Sequence, residues 1–574
     1  PRTPIEEMVT SIWSEVLGVQ QISIHDNFFE LGGDSILSIQ IVGKAKAYGL
    51  HFTYKQLFQN PTIAQLANVI VVSQSRTIEQ GLITGDVPLT PVQHWFFEQN
   101  FTEPHHWNQA LMLEARQRLN TKYVTEAIQY LIIHHDALRL RFIKEALGWR
   151  QTIVAPTTDF PITTVDLSEF PVQKQKDEIE RVATQAQTSL NLSDGPLIRT
   201  IMFELGDQFS QRLLIIAHHL IIDAVSWRIL LEDLQRIYKQ LDSSVSITLP
   251  TKTTSWQYWS NKLNEYTQSN QMEKEADYWL GVLRNQVDLL PRDHVDGINT
   301  VKSTATVSIS LNEKDTQALL REVPSAYHTE INEVLITALV ETIWEWSGSR
   351  RLFMELEGHG REDIFEEVDL SCTIGWFTTI FPVYIDLSKT YKTTDALKSV
   401  KEQLRKIPNR GLSYGVLHYL KRDPRFEKLL INRPTTEISF NYLGQFDQVF
   451  SNESLLTIGK ESSGTTRSQY SLRSHVLEII GSILDGKLNM AWIFSENLHK
   501  RTTIERLSQS YIEHLRKIIV HCRNLEAVTY TTSDFPRAGL SQKSLDKLIT
   551  KLNRQRKPSV LPASPTTNLE ITDK

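Results

Sequence analysis

The sequence has 574 residues, 40% of them hydrophobic and 22% charged, with a formal net charge of −6. This length exceeds the roughly 250–300 residues at which single cores stop growing, so we expect several domains of ordinary globular composition. The acidic balance argues against nucleic acid as the main partner. The lack of an ~18-residue apolar stretch argues against a membrane span. Two cysteines are too few for a disulfide framework or a zinc finger, and they suit a reducing cytoplasm.

The first 72 residues contain three or four helical patterns. The stretch TPIE is typical of a capping box, with Thr3 as N-cap, proline at the first helical position and Glu6 reaching back. Apolar residues then recur at helical spacing until Gly18, which ends the helix. A short helix in FQNPTIAQLANVI closes the segment. We therefore expect residues 1–72 to form a small all-α, four-helix bundle that folds by itself.

Ser35 lies in the stretch DNFFELGGDSI, at the predicted start of the second helix. Gly32 and Gly33 give a flexible turn, and Asp34 is the expected N-cap. The helix then has a broad apolar face, formed by Ile36, Leu37, Ile39, Ile41 and Val42. On local evidence alone, Ser35 is most simply a neighbour of the N-cap at an exposed helix N-terminus.

A longer α/β segment follows a linker. Residues 73–86 are polar, contain two glycines and predict the linker. The segment from there to residue 540 mixes helical and strand patterns and exceeds a single core, so two lobes are expected, residues 87–260 and 261–540.

Four stretches of this segment predict elements near the candidate site. RLLIIAHHLIID is a continuous buried strand, and SWRILLEDLQRIYKQL is an amphipathic helix with Ser226 as its cap. INEVLITALVETIW is a helix of the second half. TEISFNYLG alternates as a strand, with Tyr442 on the core side and Asn441 on the opposite face.

Two adjacent histidines end the predicted buried strand. Because neighbouring residues on a strand face opposite sides, His218 and His219 are not expected to bind one metal ion. One imidazole should face packed protein and the other a cleft or solvent, and the residues leave open which of them is functional. Asp223 would be a buried carboxylate that needs a cation, and an arginine from another segment would serve.

The stretch LGGDSI, with DNFFE before it, resembles the attachment site of carrier domains in nonribosomal peptide synthetases. The resemblance implies that a phosphopantetheinyl transferase attaches 4′-phosphopantetheine covalently to the Ser35 hydroxyl. A phosphodiester at a helix N-terminus would meet the positive end of the helix dipole. Ser35 would then be a tether point without catalytic power of its own.

The stretch HHLIIDAVSW resembles the HHxxxD signature of the condensation and epimerization superfamily of the same synthetases, whose members have two chloramphenicol-acetyltransferase-like lobes. Ala224 stands where many members have glycine. Further stretches are similar to epimerization domains: EGHGR at 357–361, TIGWFTTIFPV at 373–383, FNYLGQFD at 440–447 and DFPRAGL at 534–540. The resemblance implies a carrier–epimerization didomain that converts an L-aminoacyl thioester to its D-isomer.

Inversion of an α-carbon requires proton removal on one face and proton delivery on the other. Our hypothesis is that His219 from the first lobe and Glu357 from the second flank the substrate, since modest burial brings either group's pKa toward neutrality. Which of the two deprotonates the L-isomer is left open. The duller interpretation of Glu357 is a surface carboxylate, but its flanking glycine favours close approach of a ligand.

Five other residues have implied roles, Tyr442 as a third catalytic group and the other four as supporting residues. By resemblance, Arg361 orients the site or pairs with Asp223, and Tyr442 and Asn441 line the tunnel, where a phenol or amide could donate to a developing oxyanion. His218 supports the site as the packed neighbour of the catalytic histidine.

Two alternative functions stay open: a condensation-type transferase that forms a peptide bond, and a non-catalytic module that recruits carriers. A first residue of proline suggests a piece of a longer chain. The resemblance implies that the upstream partner is an adenylation domain of the same synthetase. Residues 541–574 begin as an amphipathic helix and continue as a Pro/Ser/Thr-rich segment. They are either a disordered terminus or a docking tail for the downstream synthetase subunit.

Overall fold

The structure is a computed structural model that describes residues 1–72, 79–157, 162–206, 210–390, 392–431, 435–445, 450, 454–524, 529–535 and 538–555. Several predicted features lie partly outside the described residues: 73–78 of the linker, 446–447 of FNYLGQFD, 536–537 of DFPRAGL, and the tail from 556. Among the helices of the described ranges, none has the length and apolarity needed to cross a bilayer.

The α-helices of the described part are α1 (Pro4–Leu17), α2 (Ser35–Ala47), α3 (Tyr54–Gln59), α4 (Ile63–Leu66), α5 (Pro91–Glu98), α6 (Thr121–His134), α7 (Val172–Gln187), α8 (Ala224–Asp242), α9 (Trp256–Tyr266), α10 (Asn270–Leu283), α11 (Glu313–Tyr327), α12 (Ile331–Ser347), α13 (Thr393–Leu404), α14 (Leu412–Gly415), α15 (Pro424–Leu430), α16 (Arg501–Arg523) and α17 (Gln542–Gln555). The strands are β1 (Leu50–His51), β2 (Val71–Val72), β3 (Gly85–Val87), β4 (Asn108–Ala115), β5 (Leu140–Glu145), β6 (Gly148–Ile153), β7 (Thr163–Asp166), β8 (Ile198–Glu204), β9 (Arg212–His218), β10 (Thr304–Ser310), β11 (Arg351–Gly358), β12 (Thr379–Asp386), β13 (Ile438–Gln445), β14 (Leu456–Ile458), β15 (Leu477–Leu484) and β16 (Lys487–Ser495).

The N-terminal bundle confirms the predicted four-helix carrier fold, with a short β1–β2 pair added to it. Thr3 caps α1 by accepting from the backbone N–H of Glu6, and Gly18 ends α1 at φ 65°. The capping box itself is wrong in one bond, because the Glu6 carboxylate accepts from the backbone N–H of Arg2 at 2.5 Å, one residue before the cap. Asp34 caps α2 as expected, accepting from the backbone N–H groups at positions 36 and 37.

The apolar face of α2 serves two neighbours. Leu37, Ile41 and Val42 pack in the core of the bundle. Ile36 instead packs against the hydrophobic core of the large domain. The sequence pattern alone assigns all these residues to one side, because periodicity does not distinguish a core from a docking surface.

The large domain has two lobes, as predicted. The first is built on the sheet β14–β4–β9–β8–β7 and the smaller sheet β3–β6–β5, and the second on the sheet β10–β16–β15–β13–β11–β12. Strand β14 comes from the second half of the chain but pairs antiparallel with β4 at the edge of the first lobe's sheet. This crossing ties the two halves together and was not evident from the sequence. The domain boundaries given above remain predictions.

Two predictions near the end of β9 are wrong. The buried strand ends at His218, and residues 219–221 form a 3₁₀ turn, so His219 leaves the sheet. The cap of α8 is Asp223 rather than Ser226, because the Asp223 carboxylate accepts from the Ser226 backbone N–H at 2.7 Å. A carboxylate at this position satisfies an unpaired N–H group of the first turn.

Candidate active site

One cavity of about 410 Å³ is lined by the carrier and by both lobes of the large domain. Ser35 comes from the carrier, His219 from the first lobe, and Glu357 and Tyr442 from the second. These residues lie far apart in the sequence, so the cavity exists only because the three units pack together. Asp223 and Asn441 also contribute to its wall.

His219 begins the 3₁₀ turn that follows β9, and its ring lies 4.2 Å from the ring of Trp376. Its Nδ1 atom is 2.9 Å from the carbonyl oxygen of Ile222, and its Nε2 atom is 2.9 Å from Nε2 of Gln109. Burial lowers the pKa of His219 to about 4, so the expectation that burial brings this pKa toward neutrality is wrong, because desolvation disfavours the imidazolium form. The imidazole is therefore neutral near pH 7 and able to accept a proton.

His218 serves the fold. It is fully buried, and its Nε2–H donates to the carbonyl oxygen of Pro104 at 2.8 Å while Nδ1 accepts from the backbone N–H of Leu220 at 3.2 Å. Both ring nitrogens are thus used by the backbone, and burial lowers the pKa of His218 to about 3. Of the two histidines, His219 is the one that reaches the cavity.

Glu357 occupies the penultimate position of β11, beside the parallel strand β13. This register brings Asn441 next to it, and the Asn441 Nδ2 group donates to Glu357 Oε2 at 2.6 Å. Burial raises the pKa of Glu357 to about 7, with the nearby His475 opposing the shift. A substantial fraction of this carboxyl group is therefore protonated at neutral pH and able to donate a proton.

A buried polar layer lies beneath Glu357, and sequence reasoning missed it. The Nε2 atom of His475 is 2.7 Å from Glu355 Oε2, and Arg473 pairs with Glu478 at 2.9 Å. Burial is the largest single effect and lowers the pKa of His475. The hydrogen bond to Glu355 and the charges of the nearby carboxylates together outweigh burial and hold the pKa above its usual value. No local pattern marks the pair of Glu355 and His475, because the two residues are 120 positions apart in the sequence.

Asp223 and Arg361 form a buried ion pair, which is one of the two roles that the family resemblance implied for Arg361. Arg361 Nη2 lies 3.2 Å from Asp223 Oδ1 and donates to the Ser226 hydroxyl at 2.8 Å, while Nη1 donates to the carbonyl oxygens of Leu370 and Thr373. A buried guanidinium needs this set of acceptors to offset its desolvation. Because Asp223 belongs to the first lobe and Arg361 to the second, the pair fixes one lobe against the other.

Tyr442 and Asn441 are neighbours on β13, and both line the cavity. Strict alternation would place them on opposite faces of the sheet. The pairing of β13 with β15 shifts register after Tyr442, which marks a local irregularity at this point of the strand. The Tyr442 side chain is 8% exposed and packs near Gly481 of β15.

The carrier contacts the second lobe at residues that include two of the cavity lining, Arg410 and Glu330. Gln445 donates to the carbonyl oxygen of Gly32 at 2.8 Å, just before Ser35. The Tyr54 hydroxyl lies between Arg410 and Glu330, which are themselves 2.8 Å apart. These contacts were not predicted, since nothing in the sequence pairs one domain's surface with the other's.

The residues around Ser35 fit a 4′-phosphopantetheine group. Ser35 is the first residue of α2 and lines the cavity that also contains His219 and Glu357. A chain attached at Ser35 therefore starts in the same cavity as both ionisable groups. Within the described residues, no group of three His, Cys, Asp or Glu side chains is arranged to hold a metal ion.

Comparison with family models matches residues 83–540 to the condensation domain and residues 7–70 to the phosphopantetheine attachment site. One of the linear gramicidin synthase proteins of Brevibacillus parabrevis is 44% identical over 573 residues, which are 98% of this chain and 7% of that protein. Surfactin synthase subunit 1 of Bacillus subtilis (strain 168) is 36% identical over 96% of this chain and 15% of its own length. The chain thus spans only a small part of these relatives.

Solved structures give the same fold. The epimerization domain from the third module of tyrocidine synthetase B superposes with a TM-score of 0.73 at 37% identity, covering 78% of this chain and 99% of that domain. The first condensation domain of the calcium-dependent antibiotic synthetase superposes with a TM-score of 0.57 at 14% identity, covering 76% of this chain and 96% of that one. The latter similarity shows the two-lobed fold alone.

Proposed function

The chain belongs to the condensation-domain family of nonribosomal peptide synthetases, with a phosphopantetheine attachment domain in front, and we propose that it is an aminoacyl epimerase. The attachment domain carries 4′-phosphopantetheine on a serine, here Ser35. The proposed reaction interconverts the L- and D-isomers of an aminoacyl group held as a thioester on that arm. The enzyme would therefore be an isomerase that acts on a substrate tethered to its own chain.

The observation that carries this proposal is the shared cavity of Ser35, His219 and Glu357. When bound, the arm supplies a thioester that makes the α-proton of the aminoacyl group more acidic. His219, with a pKa of about 4, is neutral near pH 7 and takes the α-proton at Nε2. Glu357, with a pKa of about 7, delivers a proton to the opposite face. For the other isomer the two groups exchange roles.

Tyr442 is the third catalytic residue of the proposal, and Asn441 is a supporting residue. Asn441 holds the Glu357 carboxyl group by its 2.6 Å hydrogen bond. Tyr442 lines the same cavity, where its phenol is suited to donate to negative charge that develops on the thioester oxygen. Asp223 and Arg361 keep the two walls at a fixed separation.

A condensation-type transferase is the second candidate, since the matching family model is that of the condensation domain. It would use the same histidine motif to join two carrier-bound substrates. The 37% identity to an epimerization domain and the half-buried Glu357 in the cavity that His219 also lines favour isomerisation. A non-catalytic recruiting module would not need two ionisable groups in the cavity that Ser35 lines.

The test loads the pantetheinylated protein with an L-aminoacyl group in deuterated solvent. The D:L ratio is followed with time, together with deuterium at the α-carbon. The proposal predicts approach to a mixture of isomers with deuterium incorporation and no new amide bond. A new amide upon addition of a second loaded carrier would indicate the transferase, and a pure L-isomer without deuterium would indicate the recruiting module.

We also propose phenylalanine as the aminoacyl group, because the motifs most resemble the carrier–epimerization end of the phenylalanine-activating initiation subunit of gramicidin S synthetase. The upstream partner would be an adenylation domain of the same synthetase and the downstream partner another subunit, engaged through residues 541–574. The helix α17 supports such a docking role, since its apolar residues alternate with basic ones at helical spacing. Loading with phenylalanine, valine and leucine in parallel tests the substrate, and equal rates would contradict the choice.

A further inference from the structure

We propose that Gln109 is a positioning residue that keeps the Nε2 atom of His219 unprotonated and directed into the cavity, an inference that rests on the proposed role of His219. Gln109 lies on β4, which pairs with β9 directly before the histidine turn. Its side chain lines the cavity beside His219. No sequence motif marks it.

The tautomer of His219 follows from its partners. The carbonyl oxygen of Ile222 only accepts hydrogen bonds, so the Nδ1 atom 2.9 Å from it must carry the proton. In a neutral ring, Nε2 is then the acceptor. The Gln109 Nε2 atom, 2.9 Å away, is an amide donor and occupies this lone pair, so its N–H moves aside when Nε2 takes the α-proton.

The orientation of the Gln109 amide is fixed in turn by Trp227. The Trp227 indole N–H only donates, and it lies 2.7 Å from Gln109 Oε1. Reversing the amide would set two donors against each other at Trp227 and two acceptors at the unprotonated nitrogen of His219. Trp227, Gln109 and His219 therefore have one consistent arrangement of hydrogens, and it places the basic nitrogen at the cavity.

A donor that faces the lone pair of the neutral ring disfavours protonation of that ring. Two further charges face the imidazole: Arg467 opposes a positive charge, and Asp223 favours one. The adjacent His218 is held neutral, because burial lowers its own pKa to about 3. The hydrogen bond from Gln109 thus lowers the pKa of His219, in the same direction as burial.

Glu357 has a matching arrangement on the other wall, where the Asn441 carboxamide donates to its Oε2 atom. Each candidate proton carrier therefore has a carboxamide N–H on a proton-accepting atom. The Asn441 donor favours the ionised form of Glu357, whereas the Gln109 donor favours the neutral form of His219. The proposed function needs the ionised form of Glu357 and the neutral form of His219 to be accessible near neutral pH.

The experiment measures the pKa of His219 directly, by nitrogen NMR of the full chain with ¹⁵N-labelled histidine. The His219 signals are assigned by their absence in His219→Ala. Gln109→Ala should raise this pKa by about one pH unit, the equivalent of one lost hydrogen bond, and Gln109→Glu should raise it further, because a carboxylate favours the imidazolium form. Trp227→Phe should shift it in the same direction by less, since the amide loses its orientation.

The acidic limb of the epimerisation rate against pH should move with the NMR value. At pH 7 the alanine variant should be slower by about tenfold, from loss of alignment. The control is Gln175→Ala, which removes another buried glutamine of the first lobe that bonds only backbone carbonyls in the described structure and lies away from the cavity. Gln175→Ala should leave the acidic limb of the rate profile at the same pH.

Unshifted NMR values and an unshifted limb in both Gln109 variants, with only a slower rate, would overturn the proposal, because packing alone would explain that result. If Gln109→Ala does not fold cooperatively, Trp227→Phe decides, and an unchanged pKa there would likewise overturn it. The NMR titration needs no turnover. A failure of the unchanged protein to epimerise would therefore refute the proposed function separately from the role of Gln109.

Discussion

Burial shifts the pKa values of the ionisable groups on the two walls of the cavity in opposite directions. Burial lowers the pKa of His219 in the first lobe to about 4 and raises the pKa of Glu357 in the second to about 7. In each case desolvation favours the neutral form, which is a base for imidazole and an acid for a carboxyl group. A cavity between two lobes that desolvates both groups thus prepares a proton acceptor and a proton donor, with burial as the largest effect on each.

The largest expected effect comes from removing either wall's ionisable group. His219→Ala and Glu357→Gln should each slow the interconversion of isomers by ~10²–10⁴-fold, because one face of the α-carbon loses its proton carrier. Chiral chromatography of the released amino acid measures this. The isomer whose α-proton faces the remaining group should still exchange that proton with deuterated solvent.

The matched control for that comparison is Glu366→Gln, an exposed glutamate of the same lobe. It should epimerise at the rate of the unchanged protein. Full isomerisation by either His219→Ala or Glu357→Gln would contradict the assignment of that wall.

The ion pair that joins the walls should give the next largest effect. Asp223→Ala leaves the Arg361 guanidinium buried without its carboxylate and should destabilise folding by ~3–5 kcal/mol. Denaturant unfolding, followed by tryptophan fluorescence, measures the change. Arg181→Ala, which breaks the exposed pair with Glu178, should leave the midpoint unchanged. Equal midpoints for Asp223→Ala and Arg181→Ala would show that the lobes do not depend on the buried pair.

The dependence of the rate on pH should show the ionisation of both His219 and Glu357. Both directions of the reaction use the state in which the pair His219 and Glu357 holds a single proton, so the rate should fall below about pH 4, where both are protonated, and above about pH 7, where neither is. Initial rates of α-deuterium incorporation from each isomer measure the limbs. A flat profile through pH 7 would remove Glu357 from the pair. Glu357→Gln should lose the alkaline limb.

The carrier contact should give the smallest effect. Tyr54→Phe removes the hydroxyl that lies between Arg410 and Glu330 but leaves these two paired, so the rate on the tethered substrate should fall by about 3–10-fold. Tyr48→Phe, at a carrier tyrosine that is 65% exposed, should not change it. A small free aminoacyl thioester should react equally fast with both variants. An equal loss for free and tethered substrates would mean that Tyr54 acts on the site rather than on docking.

The buried histidine strand shows how far sequence patterns reach. The apolar run before His218 predicted a strand correctly, yet the strand ends one residue before His219. Leu220 to Ile222 are as apolar as the strand itself and fully buried, so hydrophobicity could not indicate where the sheet ends and the turn begins. Hydrophobicity likewise does not indicate where the turn ends and the next helix begins, which is why Ser226 was wrongly predicted as the helix cap.

Features that depend on neighbours a few residues away could be predicted without any knowledge of the fold. These include the caps at Thr3 and Asp34, the helices and strands that follow apolar periodicity, and the motifs that contain Ser35, His219 and Glu357. Such features are local, because a cap or an amphipathic face is decided within one or two turns of chain.

Contacts between side chains that are distant in the sequence became known only from the packed chain. Gln109 reaches His219 over 110 residues, and Gln445 reaches Gly32 over 413. Ile36 likewise packs on the large domain rather than in its own bundle. Strand register and domain docking set these contacts, and no local pattern encodes them, because the free energy of each contact is realised only once both surfaces are already in place.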